Sequence, residues 1–218
     1  MNSKLSQVVL FYAGLACLVG NASAEILYQD LHLVPKFAKA HGIVMGVAFV
    51  IILPLGAILV RLLKFKGAVW VHVACQLIGW VLMLAGLATG IKVGKILDRL
   101  HNNGHTILGT IVVVLLLLQP FIGFIHHRRF MATQKRTAWT HLHVWYGRVL
   151  IILGMINGGL GLKLAANSKA GNIAYGVVAG VIGVLYLASI GLFETKSSKA
   201  KRDGKMESSI AMEQSPAA

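Results

Sequence analysis

The chain has 218 residues, of which 56% are hydrophobic and only 13% are charged, and its formal net charge is +14. A soluble domain carries roughly a quarter charged residues, so this composition indicates a membrane protein with several spans. The basic residues lie between the apolar runs and form no single stripe, which argues against a nucleic-acid partner. All seven acidic residues lie outside those runs, which argues against a proton pump or a cation channel.

Residues 1–24 have the pattern of a signal peptide. An apolar run over residues 8–20 is followed by the small residues Ala22, Ser23 and Ala24, so we predict cleavage before Glu25. An uncleaved anchor helix is the alternative. Residues 25–40 are predicted to form a short exoplasmic lead-in.

Five apolar runs then have the length of membrane spans, since a bilayer core of about 30 Å needs about 20 helical residues. We therefore predict an all-α membrane protein with five mature transmembrane helices, and with the transmembrane domain at 41–193. Pro54 and Pro120 are expected to distort their helices. Residues 194–218 are predicted to form a disordered cytosolic tail whose basic part contacts membrane lipid. The predicted spans are 41–60, 68–91, 105–130, 140–162 and 173–193.

The distribution of basic residues predicts the orientation of these spans. With an exoplasmic N-terminus and a cytosolic C-terminus, the cytosolic segments hold twelve Lys and Arg residues and the exoplasmic segments hold seven. This bias agrees with the positive-inside rule. We expect an integral membrane protein of the secretory pathway, in the plasma membrane or an internal compartment.

Four consecutive spans each open with a histidine, namely His41, His72, His105 and His143. Successive helices run in opposite directions, so His41 and His105 should meet near the exoplasmic face, and His72 and His143 near the cytosolic face. Two imidazoles donated across a four-helix core would fill both axial positions of a haem iron. An iron closed in this way passes electrons and binds no substrate.

Glycines one turn after two of these histidines, Gly109 and Gly147, are expected to leave room for a flat porphyrin. A zinc or copper site would need three or four converging ligands, which neither pair offers. His101 is an alternative to His105. His141 is an alternative to His143, from which it points about 200° away on a helix.

Other polar residues in or beside the spans have two interpretations each. Arg148 would need an anionic partner, for which a haem propionate is the candidate, or it would extend to the interface. Lys64 and Lys66 either meet an anionic reductant or only set the topology. His126 and His127 are expected to mark an interface. Glycine pairs such as Gly154 and Gly158 permit close helix contact, and a homodimer is a further hypothesis.

The motifs HGIVMG, WVHVACQ, HTILGT, LLLLQPFIGFIHHRRF, HLHVWYGRVL and INGGLGL follow one another in this order. With them the chain resembles the cytochrome b561 family over about residues 32–193. It looks most like the core of eukaryotic members that often follow a DOMON haem domain, although the sequence shows no such module. The resemblance implies two haems b, with His41, His72, His105 and His143 as the successive ligands.

The resemblance also implies transmembrane electron transfer by an ascorbate- or ferric-reductase-like oxidoreductase. A cytosolic donor such as ascorbate would reduce ferric iron or monodehydroascorbate outside. Lys64 and Lys66 are the only counterpart of the family's basic donor motif. One alternative is a haem-carrying membrane subunit that exchanges electrons with a separate extracellular redox protein. Another is a haem-free metal transporter that uses the same histidines.

Overall fold

The computed structural model describes residues 30–213, so the predicted signal peptide lies outside the described part of the chain. Within residues 30–213 the chain is helical, without strands, and five helices are long and apolar enough to cross a membrane. The predicted all-α fold with five spans is confirmed. The helices are α1 (Leu31–Leu62), α2 (Ala68–Ile96), α3 (Gly104–Thr133), α4 (Ala138–Leu164) and α5 (Lys169–Glu213).

The first helix begins earlier than the sequence predicted. A 3-10 turn at Leu31–Leu33 leads into an α-helix from Val34, with Pro35 in its first turn. Proline is well tolerated there because the first N–H groups of a helix have no partner within it. The predicted lead-in is therefore helical from residue 31, and His41 lies well inside α1 and not at its start.

A π-helical segment, Val47–Ile52, interrupts α1 in its middle, where the N–H of Leu53 donates to the carbonyl of Ala48. Pro54 follows at once. In a regular α-helix its ring would crowd the carbonyl of Val50, to which it also has no N–H to donate. A π turn is wider and takes in an extra residue. The irregularity expected at Pro54 is thus a π segment.

The starts of α3 and α4 are held by side-chain caps. Asn103 accepts a hydrogen bond from the N–H of Thr106 at 3.0 Å. At the start of α4, Oγ1 of Thr140 accepts a hydrogen bond from the N–H of Thr137 at 3.1 Å. Such caps satisfy N–H groups that have no partner within the helix, so they define where the spans that carry His105 and His143 begin.

Helix α5 continues to Glu213, so the prediction of disorder from residue 194 is wrong for the described residues. A helix that already spans the membrane extends without a new nucleation cost. The segment 194–213 contains one glycine, Gly204, and no proline. Its composition is compatible with helix once the preceding span supplies the nucleus.

The spans form two hairpins. Helix α1 packs along α2 and α3 packs along α4; the hairpins meet as a four-helix bundle, and α5 lies outside against α1 and α4. The core fills the middle of the bundle, where Gly154 leaves space for the ring of Phe49. We call the bundle end that holds His41 and His105 the His41 end, and the opposite end the His72 end. Buried core side chains include Ala48, Phe49, Leu53, Met83, Val112, Val113, Leu116, Leu150, Ile151 and Tyr186.

Candidate functional site

The structure brings the predicted histidines together in two pairs, each built across the two hairpins. The rings of His41 and His105 have centroids 5.7 Å apart and planes at 84°. The rings of His72 and His143 have centroids 6.2 Å apart and planes at 87°. All four side chains are half-buried. The two ends of the bundle thus carry the same arrangement.

The two pairs are separated by most of the thickness of a membrane. His105 belongs to one pair, and Gln119, on the same helix, donates to the main-chain carbonyl of His143 in the other. With a rise of about 1.5 Å per residue, the stretch of α-helix from His105 to Gln119 spans about 21 Å. The core side chains fill the layer between the pairs.

Three of the four rings bond to the main chain through Nδ1. His41 bonds to the carbonyl of Gly86 at 2.8 Å and His72 to that of Gly56 at 2.9 Å. His105 bonds to the carbonyl of Asn157 at 3.0 Å. A carbonyl only accepts, so Nδ1 must carry the proton. In each neutral ring this leaves the lone pair of Nε2 free to bind a metal.

These contacts follow a regular spacing along the chain. In each of the helices α2, α3 and α4, one residue contacts the histidine of a neighbouring helix. This residue always follows the helix's own histidine by the same number of positions. In α1 the interval from His41 to Gly56 is one residue longer, because the π segment takes in an extra residue. The three equal intervals are His72 to Gly86, His105 to Gln119, and His143 to Asn157.

Glycines that the sequence analysis did not single out lie directly beside the rings. A methyl group on Gly90 would lie 2.7 Å from Nδ1 of His41, and one on Gly161 would lie 2.8 Å from Cε1 of His105. A methyl group on Gly123 would lie 2.9 Å from Cε1 of His143. Each of these glycines follows the histidine of its own helix at the same interval, so the recurring spacing was a signal that could have revealed them. The equal intervals are His72 to Gly90, His105 to Gly123, and His143 to Gly161.

The glycines that were singled out have another role. A methyl group on Gly109 would lie 2.8 Å from Nδ2 of Asn157, and one on Gly147 would lie 2.5 Å from Nε2 of Gln119. The expectation that Gly109 and Gly147 clear space for a porphyrin is therefore wrong in this structure. They make room for two amide side chains between α3 and α4.

The remaining histidines lie around the pairs. His101 and His141 are exposed, so His105 and His143 are the ones that face the bundle. His126, which was expected only at an interface, stacks on His143 with centroids 5.5 Å apart and planes at 16°. His127 lies near the ring of Trp70. The position of His126 at the opposite end of α3 from His105 places it at the His72 end, but the sequence pattern does not show that its ring faces His143.

Arg148 has a protein partner that the sequence analysis missed. Its Nη2 lies 2.8 Å from Oε1 of Glu194, and its side chain is 5% exposed, against 46% for Glu194. The guanidinium also lies over the Trp145 ring, 4.6 Å from its centroid. Nε and Nη1 of Arg148 are buried and have no hydrogen-bond partner among the described residues. Arg148 is therefore buried and only partly paired, and it does not extend to the interface.

The charged residues at the ends of the bundle are more exposed than Arg148. Asp30 and Lys92 form an ion pair of 2.8 Å at the His41 end, with 35% and 43% of their side chains exposed. Lys64 and Lys66 are exposed near the start of α2. A surface ion pair of this kind contributes little to stability.

The family model for eukaryotic cytochrome b561 matches residues 40–167 of the chain. Two Arabidopsis thaliana proteins named cytochrome b561 and DOMON domain-containing proteins are 31% and 32% identical to it, over 69% and 65% of this chain and 37% and 35% of their own lengths. A third Arabidopsis protein, named a cytochrome b561 domain-containing protein, is 27% identical over 62% of this chain and 54% of its own length. No solved structure matches the chain.

The chain belongs to the eukaryotic cytochrome b561 family, since the family model covers more than half of it. It spans about a third to a half of the length of these relatives. Family membership implies an integral membrane protein that transfers electrons across the membrane and binds haem b.

The histidine pairs fit haem b. A metal–imidazole bond is about 2 Å long and a ring nitrogen lies about 1 Å from the ring centre, so two axial imidazoles on one iron have centroids about 6 Å apart. The observed separations are 5.7 Å and 6.2 Å. Within residues 30–213 no group of three or more His, Cys, Asp or Glu residues is arranged to hold a metal ion. Two imidazoles suit an iron whose other four ligands come from a porphyrin.

Proposed function

We propose that the chain transfers single electrons across the membrane through two haems b. His41 and His105 hold one haem and His72 and His143 hold the other. The observation that supports this most directly is the presence of two similar histidine pairs at opposite ends of one bundle. Three of these rings are held by main-chain carbonyls in the tautomer that presents Nε2 to iron.

When bound, haem b takes up and releases one electron at its iron. The two histidines of each pair would hold this iron through their Nε2 atoms. The Nδ1 bonds keep three rings from rotating, which lowers the reorganisation that accompanies a change of charge. The packed core between the pairs excludes water from the middle of the bundle.

Arg148 supports binding at the His72 end. Its pairing with Glu194 uses Nη2, and its buried Nε and Nη1 remain available as donors. A buried guanidinium with two unbonded donors attracts an anion. We propose a haem propionate as this second partner of Arg148.

The direction of transfer follows from the proposed orientation. The His72 end carries the larger number of basic residues and would face the cytosol. We propose a cytosolic donor such as ascorbate and an exoplasmic acceptor of the ferric iron or monodehydroascorbate class. Lys64 and Lys66 at the His72 end suit an anionic donor.

Haem stoichiometry tests this proposal. Purified protein assayed as its pyridine haemochrome should give two low-spin b-type haems per chain. His41→Ala and His143→Ala should each remove one haem and spare the other, whereas His141→Ala, an exposed control close to His143, should remove none. One haem per chain would eliminate the transmembrane path, and none would favour metal transport by the same histidines.

A second candidate function is suggested by the relatives whose names include a DOMON domain and which the chain matches over little more than a third of their length. In this case the chain would pass electrons to or from a separate extracellular redox protein. Vesicles with ascorbate trapped inside separate the candidates. Reduction of an external ferric chelate by the chain alone supports an autonomous reductase, and reduction only after a partner is added supports a subunit.

A further inference from the structure

One of the four histidines lacks the bond that holds the other three. His143 precedes Asn157 in α4 by the same interval at which His105 precedes Gln119 in α3. Its ring lies opposite that of His72. Its Nδ1 is buried and has no hydrogen-bond partner among the described residues. A buried ring N–H without an acceptor costs about 1–3 kcal/mol.

The regular spacing identifies which residue should supply the acceptor. The interval from His105 to Gln119 equals the interval from His143 to Asn157. Gln119 on α3 therefore lies next to His143, just as Asn157 on α4 lies next to His105. Its Nε2 already donates to the carbonyl of His143 at 2.9 Å. Its Oε1 is buried and has no partner among the described residues. An unused donor and an unused acceptor therefore belong to two residues that are already bonded to each other.

We infer that Gln119 is the positioning residue for His143, and that its Oε1 accepts the Nδ1–H when His143 binds iron. The amide then holds the main chain of His143 through Nε2 and its ring through Oε1. Gly147 provides the necessary space, since any side chain there would meet Nε2 of Gln119. This inference rests on the proposed role of His143 as an iron ligand.

The two ends of the bundle would then differ in a measurable way. At the His41 end both rings bond to main-chain carbonyls, which no substitution removes. At the His72 end the acceptor for His143 is a side chain. An acceptor on Nδ1 makes the imidazole a stronger donor to iron and favours the ferric state. Loss of such a partner typically lowers metal affinity about 10- to 100-fold, and the potential rises by the corresponding amount when this loss falls on the ferric state.

The test compares the same substitution at two glutamines, one beside His143 and one remote from both histidine pairs. Gln119→Met keeps the length of the side chain and removes both hydrogen bonds. Gln134→Met is the matched control, because Gln134 is exposed just after the end of α3 and its Nε2 donates to the carbonyl of Met131, away from both histidine pairs. Both variants are purified with haem, and the potentials of both haems are measured by redox titration together with the electron paramagnetic resonance signals of the ferric low-spin irons.

Gln119→Met should raise the potential of one haem by about 60–120 mV, which is a 10- to 100-fold change at about 59 mV per tenfold. It should also alter the resonance signal of that haem alone. Gln134→Met should leave both potentials unchanged. Gln119→Glu retains the acceptor and should not raise the potential; it also serves as the test if Gln119→Met does not fold.

The inference is overturned if Gln119→Met leaves both potentials unchanged, if Gln119→Glu raises a potential as Gln119→Met is expected to, or if Gln134→Met shifts a potential equally. These failures are distinguishable from failure of the proposed function. If wild-type protein holds fewer than two haems, both the proposed function and the role of Gln119 lose their basis. If it holds two haems and Gln119→Met does not change their potentials, only the role of Gln119 is rejected.

Discussion

The glycine beside His105 offers a direct test of whether the histidine pairs need their close helix contacts. In Gly161→Ala the added methyl would lie 2.8 Å from Cε1 and 3.0 Å from Nδ1 of His105. Carbon atoms in contact are normally about 3.5–4.0 Å apart, so the ring must move by roughly 1 Å. Overpacking of this kind costs about 1–3 kcal/mol. If the strain acts on the bound ring, haem affinity at the His41 end falls about 5- to 150-fold.

Gly159→Ala is the matched control. It lies on the same helix, and a methyl there meets nothing within 4 Å. Both substitutions gain the same helix propensity, about 1 kcal/mol, so that effect cancels in the comparison. The assay is transfer of haem from the purified protein to an excess of apomyoglobin. We expect faster loss of one haem from Gly161→Ala only; equal rates in the two variants would refute the argument from ring crowding.

Three further predictions concern other contacts. Glu194→Gln leaves the buried Arg148 with a neutral partner and should lower the midpoint of thermal unfolding by a few degrees. Asp30→Asn, at an exposed ion pair, should change stability by less than about 1 kcal/mol. Equal shifts in the two melting curves would contradict this ranking. Deletion of Ile51 combined with Pro54→Ala, which removes the ring that would crowd a regular α-helix, should convert the π segment into α-helix and leave two haems per chain, since the interval from His41 to Gly56 then equals that from His72 to Gly86. Deletion of Val114, an exposed residue in the regular helix α3, should rotate Gln119 by about 100° and cost the haem at the His72 end; haem content measures both.

The number of spans and the grouping of histidines could be predicted from the sequence because both depend on simple properties. Apolar runs of about 20 residues have one stable arrangement in a membrane, which is helical. Antiparallel neighbours then place the start of α1 beside the start of α3. His41 meets His105 at one end for this reason, and His72 meets His143 at the other.

The contacts of Arg148 with Glu194 and of His143 with His126 could not be predicted from the sequence. Glu194 is far from Arg148 in sequence, and only the packing of α5 against α4 brings the two together. Stacking of His126 on His143 depends on the rotation of α3 about its axis, which the apolar pattern of a buried helix does not specify. Helix α5 extends past residue 194 because the preceding span continues as a helix. The composition of residues 194–213 alone does not reveal this extension.

Helix α1 shows how a local feature escapes sequence reasoning while remaining explicable. Pro54 predicts an irregularity, but it does not say whether the helix bends or widens. The widening is recognised only by comparing intervals, since the one from His41 to Gly56 is a single residue longer than the equivalent one from His72 to Gly86 in α2. That comparison requires the contacts between the helices to be known first.

The main-chain acceptors have a consequence for how such a protein diverges. The carbonyls of Gly56, Gly86 and Asn157 bond to histidine whatever side chain the residue carries, provided that it fits. Substitution along the spans can therefore accumulate without loss of these bonds, and chains that share little identity can keep the same hydrogen bonds to their histidines. A change in chain length between a histidine and its facing carbonyl is a different matter. Spacing, more than residue identity, is the property that descendants of this chain must inherit.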